Sequence, residues 1–144
     1  MRALRKQLED AAMHASELDM IARTEGLMAD ALARVLVDPG DPDMCRAEAI
    51  EHAARTVAPL TRWTEFLALA GKSLEPALAR FESLRRSADS STREVIDLLV
   101  RHEAALIAFL NQSAVGCPAA DNMALQAIEH DLRLFLANGS GASL

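Results

Sequence analysis

An all-α bundle is the fold class that this sequence predicts, and three observations carry the prediction. Hydrophobic residues make up 51% of the chain but aromatics only 3%, with no tyrosine and a single tryptophan, so a core must be built from Leu, Ala, Ile, Val and Met. Ala, Leu, Glu and Arg, all strong helix formers, dominate every long segment, and the β-branched and aromatic runs that favour strands are scarce. The chain also repeats itself. Residues 21–58 lie on 99–136 without a gap at an offset of 78, with 10 identities in 38 positions, among them Arg23 on Arg101, Glu25 on Glu103, and Ala49-Ile50-Glu51-His52 on Ala127-Ile128-Glu129-His130. Self-similarity at one fixed period signals a duplicated supersecondary unit, here a helical hairpin used twice. At 144 residues, one domain over residues 1–137 is expected.

The first helix is predicted from about Ala3 to Val37. Leu4, Leu8, Ala11, Ala15, Leu18, Ala22, Ala29, Leu32 and Leu36 recur at spacings of three and four, the seam of a helix packed at a shallow angle, and Glu25 alone interrupts it. Asp38-Pro39-Gly40-Asp41-Pro42 stops that helix. A second helix restarts at Asp43 and runs to about Ala70, with a kink expected at Pro59. Gly71-Lys72-Ser73 reads as a break, and Ser73, Glu75 and Pro76 as a new N-terminus. Residues 74–87 then form a short helix without a counterpart in the repeat, as expected of a crossover between hairpins. After a polar loop whose last Ser or Thr is the expected cap, the next helix spans about Thr92 to Ala114, with Ile96, Leu99, Leu106, Leu110 and Ser113 as its seam and Glu103 in the middle. Asp121 caps the last helix, which turns Leu125, Ile128, Leu132 and Phe135 inward, and residues 138–144 read as a disordered tail.

Composition excludes several classes of function. A net charge of −6, with Arg85-Arg86 as the one adjacent Arg pair, repels nucleic acid and anionic membrane surfaces. Cys45 and Cys117 stand alone, which suggests neither a disulfide framework nor a thiolate zinc site. The start MRALRKQLED has no apolar signal core, and no run approaches the roughly 18 apolar residues of a membrane span, so a cytoplasmic protein is expected. No Gly-rich phosphate loop and no nucleophile with a matching base is present.

Glu25 and Glu103 are the candidate functional residues. Each lies among apolar residues of its helix, so both carboxylates are expected to point at the bundle centre, where each needs a partner, a proton or a metal ion. Glu51 and Glu129 fall at the edges of their own stripes, within reach of that centre. His52 and His130 lie far from the seams, whereas His102, which flanks Leu106 and Phe109, and His14, which lines up with Ile21, Met28 and Val35, are further candidate metal ligands.

Two related hairpins joined by a crossover, with a lone inward Glu on one helix and a Glu-His element on the other, resemble the ferritin-like superfamily over about residues 21–136. The resemblance implies a four-helix bundle with an additional short crossover helix. It also implies a di-metal site built from Glu25 and Glu103 with Glu51, His52, Glu129 and His130, holding iron or manganese. Neither Glu-His element keeps the Glu-x-x-His spacing of that family, and adjacent residues on a helix diverge by about 100°, so the six-ligand set does not carry over unchanged. The competing account has Glu25 and Glu103 paired with Arg23, Arg101 or Arg46, or protonated, as polar residues that fix helix register. Two functions therefore stay open: a bundle that binds a metal ion or small ligand, with oxidative chemistry as an option, and a non-catalytic interaction or scaffold protein.

A second apolar stripe, Cys45, His52, Pro59, Trp63 and Phe66, faces away from the seam of the second helix. Either the helix over residues 74–87 covers it, or a homodimer does.

Overall fold

The computed structural model describes residues 14–35, 51, 55, 60–114 and 123–138. Four helices make up the described chain: α1 (Ala15–Ala33), α2 (Trp63–Ser87), α3 (Arg93–Ala114) and α4 (Met123–Asn138). Glu51 and Arg55 are also helical, and no strand occurs among the described residues. The turn expected at residues 38–42, most of the second predicted helix, and the tail beyond Asn138 lie outside the described residues. So does most of the first repeat unit, leaving the superposition of 21–58 on 99–136 without a structural counterpart.

α3 is the central element and packs against each of the other three helices. Its buried residues run round most of its circumference, from Val95, Leu98 and Leu99 through His102, Glu103 and Leu106 to Phe109 and Leu110. The short turn over residues 88–92 returns the chain antiparallel to α2, so Thr64 and Leu67 at the start of α2 face Leu110 and Ala114 near the end of α3, across a cleft of about 290 Å3. α4 also runs antiparallel to α3, and Arg101 on α3 is ion-paired with Asp131 on α4. α1 lies alongside α4, with Arg23 Nε donating to Glu129 Oε1 at 3.3 Å and an Arg34 guanidinium N–H donating to the Phe135 carbonyl at 3.4 Å. Leu18, Ile21 and Met28 of α1, Leu98, Leu106 and Phe109 of α3, and Leu125, Ile128 and Leu132 of α4 belong to one continuous core.

Three expectations are corrected here. First, no break occurs at Gly71-Lys72-Ser73, because α2 runs unbroken from Trp63 to Ser87, and residues 74–87 are its second half rather than a separate crossover helix. The interruption comes earlier, at Leu60–Arg62, immediately after Pro59. There the Glu65 carboxylate accepts the backbone N–H groups of Thr61 at 2.8 Å and Arg62 at 3.1 Å, which satisfies donors that a helix start leaves open. Pro76 is tolerated inside α2 on an exposed side, where water can solvate the carbonyl left without its N–H partner. Gly71 meets no atom within 4 Å of an added Cβ. Gly71→Ala is therefore expected to stabilise the protein by about 0.5–1 kcal/mol through helix propensity alone, measured as a shift of the urea midpoint at constant slope.

Second, the seam of α1 is set one residue earlier than expected, on Leu18, Ile21, Thr24, Met28 and Ala31. Ile21 and Met28 bury far more apolar area than Ala22 and Ala29, and a large aliphatic side chain gains about 1.5–3 kcal/mol on burial. Thr24 sits inside at no penalty, since its hydroxyl donates to the carbonyls of Met20 and Ile21.

Third, the turn before α3 is held by Asp89 rather than by a Ser or Thr. Its Oδ1 accepts from the backbone N–H groups of Ser91 and Thr92, at 3.0 and 2.9 Å, and from both hydroxyls. These bonds, the hydroxyls foremost, lower the Asp89 pKa from 3.8 to about 2. A carboxylate depressed in the folded state adds stability above its unfolded value and loses it as pH falls through the folded one. Asp89→Ala is thus expected to lower the melting temperature by a few degrees at neutral pH. The difference from wild type should close as the pH is taken from 3.8 down to about 2.

Candidate functional site

The middle of α3 places two polar side chains in the core. His102 is 1% exposed and Glu103 8%, among Leu98, Leu99, Leu106 and Phe109 of the same helix. The His102 Nδ1 lies 3.6 Å from Glu103 Oε1, close enough for an electrostatic contact and too long for a hydrogen bond. Neither ring nitrogen of His102 and not the buried Glu103 Oε2 has a hydrogen-bond partner. A buried polar group without a partner costs about 1–3 kcal/mol, and three such atoms adjoin one another here.

Glu25 approaches this pair from α1. Its carboxyl group is raised above the usual carboxylate value, first by desolvation; the His102 charge opposes the rise and the Glu103 charge adds to it. The charge of Glu103 thus reaches the Glu25 carboxyl group. Burial of Glu25, however, is corrected: the residue as a whole stays exposed, because the one-residue shift of the α1 seam turns Thr24 inward and leaves Glu25 on the flank. Desolvation of its carboxyl group is accordingly partial.

The other candidate residues are not brought to this centre. Glu129 accepts from Arg133 at 2.9 Å and from Arg23 at 3.3 Å, and these guanidiniums hold its pKa below the usual value. Glu51 is exposed beside Arg55 at 3.5 Å. His130 is exposed on the side of α4 away from the core, and His52 lies outside the described residues. His14 stacks on Trp63, with ring centroids 4.4 Å apart and planes 9° apart, and sits 3.6 Å from Glu17. The salt bridges envisaged for Glu25 and Glu103 are absent among the described residues, since Arg23 is taken by Glu129 and Arg101 by Asp131. No three His, Cys, Asp or Glu side chains form a metal-holding group among the described residues. A di-metal centre of four glutamates and two histidines therefore does not fit this part of the chain.

Of the second apolar stripe, Trp63 and Phe66 are described, and Cys45, His52 and Pro59 lie outside the described residues. Trp63 is 3% exposed and Phe66 is buried beside it, the two rings 5.1 Å apart. The start of α1 covers the indole through His14. No helix among the described residues is long and apolar enough to cross a membrane.

Sequence reasoning placed His102 at the edge of the seam but gave it no greater weight than its neighbours. The available signal was that α3 is apolar over most of its circumference, at Val95, Leu98, Leu99, Val100 and Ala105, so that a polar residue away from the Arg93, Arg101 and Ala104 side becomes buried. Comparison of this chain with protein-family models, with curated proteins and with solved structures found no match.

Proposed function

We propose that this chain is a ferritin-like helical bundle whose buried His102 and Glu103 bind a small polar ligand, or a divalent metal ion, iron or manganese by donor chemistry, that takes its remaining ligands from solvent. The observation that supports it is the set of three buried, unpartnered atoms on His102 and Glu103. Leaving them without partners costs stability, and a bound ion or ligand would offset that cost. A neutral imidazole and a carboxylate are suitable ligands for first-row divalent ions, and Glu25 at the flank would add a second carboxylate within reach of solvent.

Titration calorimetry with Fe(II), Mn(II) and Zn(II), together with elemental analysis of untagged protein, tests the proposal. Wild type is expected to take up one equivalent of at least one ion, and Glu103→Gln to abolish the uptake while remaining helical. A silent titration with all three ions removes the metal version. The second reading, a non-catalytic scaffold that keeps the bundle without a metal site, is favoured by one specific observation: the described residues bring no third donor into coordinating range.

A further inference from the structure

The last turn of α1, the first turns of α3 and the last turns of α4 leave a cleft of about 1130 Å3 between them. Its apolar surface comes from Leu98 of α3 and from Leu134 and Phe135 of α4, of which Leu98 is buried, Phe135 half-buried and Leu134 49% exposed. Three arginines and three acids surround that surface. Two of the acids are already engaged: Asp131 is ion-paired with Arg101, and Asp97 lies 3.9 Å from Arg85 on α2. Arg34 and Arg93, in contrast, have no carboxylate partner among the described residues. Each is held by a main-chain carbonyl, Arg34 by that of Phe135 at 3.4 Å and Arg93 by that of Ala88 at 2.9 Å. A carbonyl fixes a guanidinium without neutralising it, and a guanidinium bonded through one nitrogen keeps N–H groups for a further acceptor. Of the acids that line the cleft, only Glu94 remains to oppose these two charges. The cleft therefore holds excess positive charge in a chain whose net charge is −6.

We infer that this cleft binds a small organic monoanion, a carboxylate on an aliphatic or aromatic body, with the carboxylate toward Arg34 and Arg93 and the body against Leu134 and Phe135. The chemistry of the lining selects that class. Guanidinium forks match carboxylate oxygens in both geometry and charge. The excess charge suits one negative group, whereas the second charge of a dicarboxylate or a phosphate monoester would face Glu94, Asp97 and Asp131. A bare inorganic anion is the poorer occupant, because Leu134 and Phe135 then stay in water. The cleft is large enough for a body of about ten non-hydrogen atoms. Neither His102 nor Glu103 lines it, so this site is separate from the one proposed above.

Titration calorimetry on the full chain with octanoate tests the inference. One equivalent is expected to bind, with a dissociation constant of about 0.1–1 mM. Octylammonium has a similar body and the opposite charge, and should bind about tenfold more weakly or not at all. Arg34→Gln and Arg93→Gln should each weaken octanoate binding by about tenfold. Arg86→Gln removes the same charge from an exposed position outside the cleft, and should leave the affinity within about twofold of wild type. Arg34 and Arg93 are themselves exposed, and unchanged helicity and urea midpoint of the variants keep folding out of the comparison. Glu103→Gln should leave octanoate binding as it is, so that failure of the His102 and Glu103 site and failure of this one are read separately. No heat from wild type with millimolar octanoate overturns the inference. So does octylammonium binding as tightly as octanoate, or an Arg34→Gln/Arg93→Gln double variant that binds octanoate as wild type does.

Discussion

Phe109→Ala is expected to cost about 3–5 kcal/mol, a large share of the 5–15 kcal/mol that holds a domain of this size together. Phe109 is fully buried in α3, the helix that touches all the others, and belongs to the same core as Leu18 of α1, Leu67 of α2 and Leu132 of α4. A cavity at that point lies against several packing surfaces at once, and the aliphatic side chains around it have little freedom to close it. Urea unfolding followed by circular dichroism measures the loss, and Trp63, as the single tryptophan, gives an independent fluorescence record of the same transition. A cost below about 1 kcal/mol would mean that α3 is not the hub of the bundle.

The opposite sign is expected about two turns earlier. His102→Leu/Glu103→Met replaces two buried polar groups, three of whose atoms lack partners, by apolar side chains of similar size. It should stabilise the unliganded protein by about 1–3 kcal/mol while removing any metal or ligand binding. The two readouts together separate the functional proposals. A protein that gains stability and loses ligand binding has given up a site, and one that gains stability with nothing to lose carried the polar pair for helix register alone. A double variant that is clearly less stable than wild type would show that His102 and Glu103 are mutually satisfied in solution. Glu25→Gln acts in the same direction more weakly. A carboxyl group whose folded pKa is raised stabilises the fold only while protonated, and that contribution disappears as pH rises through the folded pKa. At neutral pH the amide therefore removes a small penalty, softened by the exposure of the residue.

Much of the site depended on one rotation. The apolar period along residues 15–33 was enough to place a helix there, and the period is nearly the same whether Ala22 and Ala29 or Ile21 and Met28 face inward. Sequence spacing favoured the former and pointed Glu25 at the core; the larger aliphatic side chains won the interior and turned it to the flank. Glu103 escaped that ambiguity because α3 is buried on both sides of it, at Leu99 and Leu110 and at Val100. For the same reason His102 is buried on its other side.

The helical class, the order of the segments around residues 15–33, 93–114 and 123–138, and the inward stripe of Leu125, Ile128 and Leu132 were determined by the sequence alone, since local propensity and hydrophobic period act within a few residues of each other. Whether Gly71 ends a helix was decided only in three dimensions, where packing of α2 along α3 outweighs the modest intrinsic cost of one glycine. The fates of the charged residues were decided there as well. Glu51 and Glu129 are equivalent in the repeat, as are Glu25 and Glu103, yet Arg55 holds Glu51 at the surface, Arg23 and Arg133 hold Glu129 at the α1–α4 boundary, and of the other pair only Glu103 lies in the core. The Glu51–Arg55 and Glu129–Arg133 pairs follow the i, i+4 spacing of a single helix, whereas the Arg23–Glu129 pair joins two helices, and which helix lies opposite is specified by no spacing along one of them.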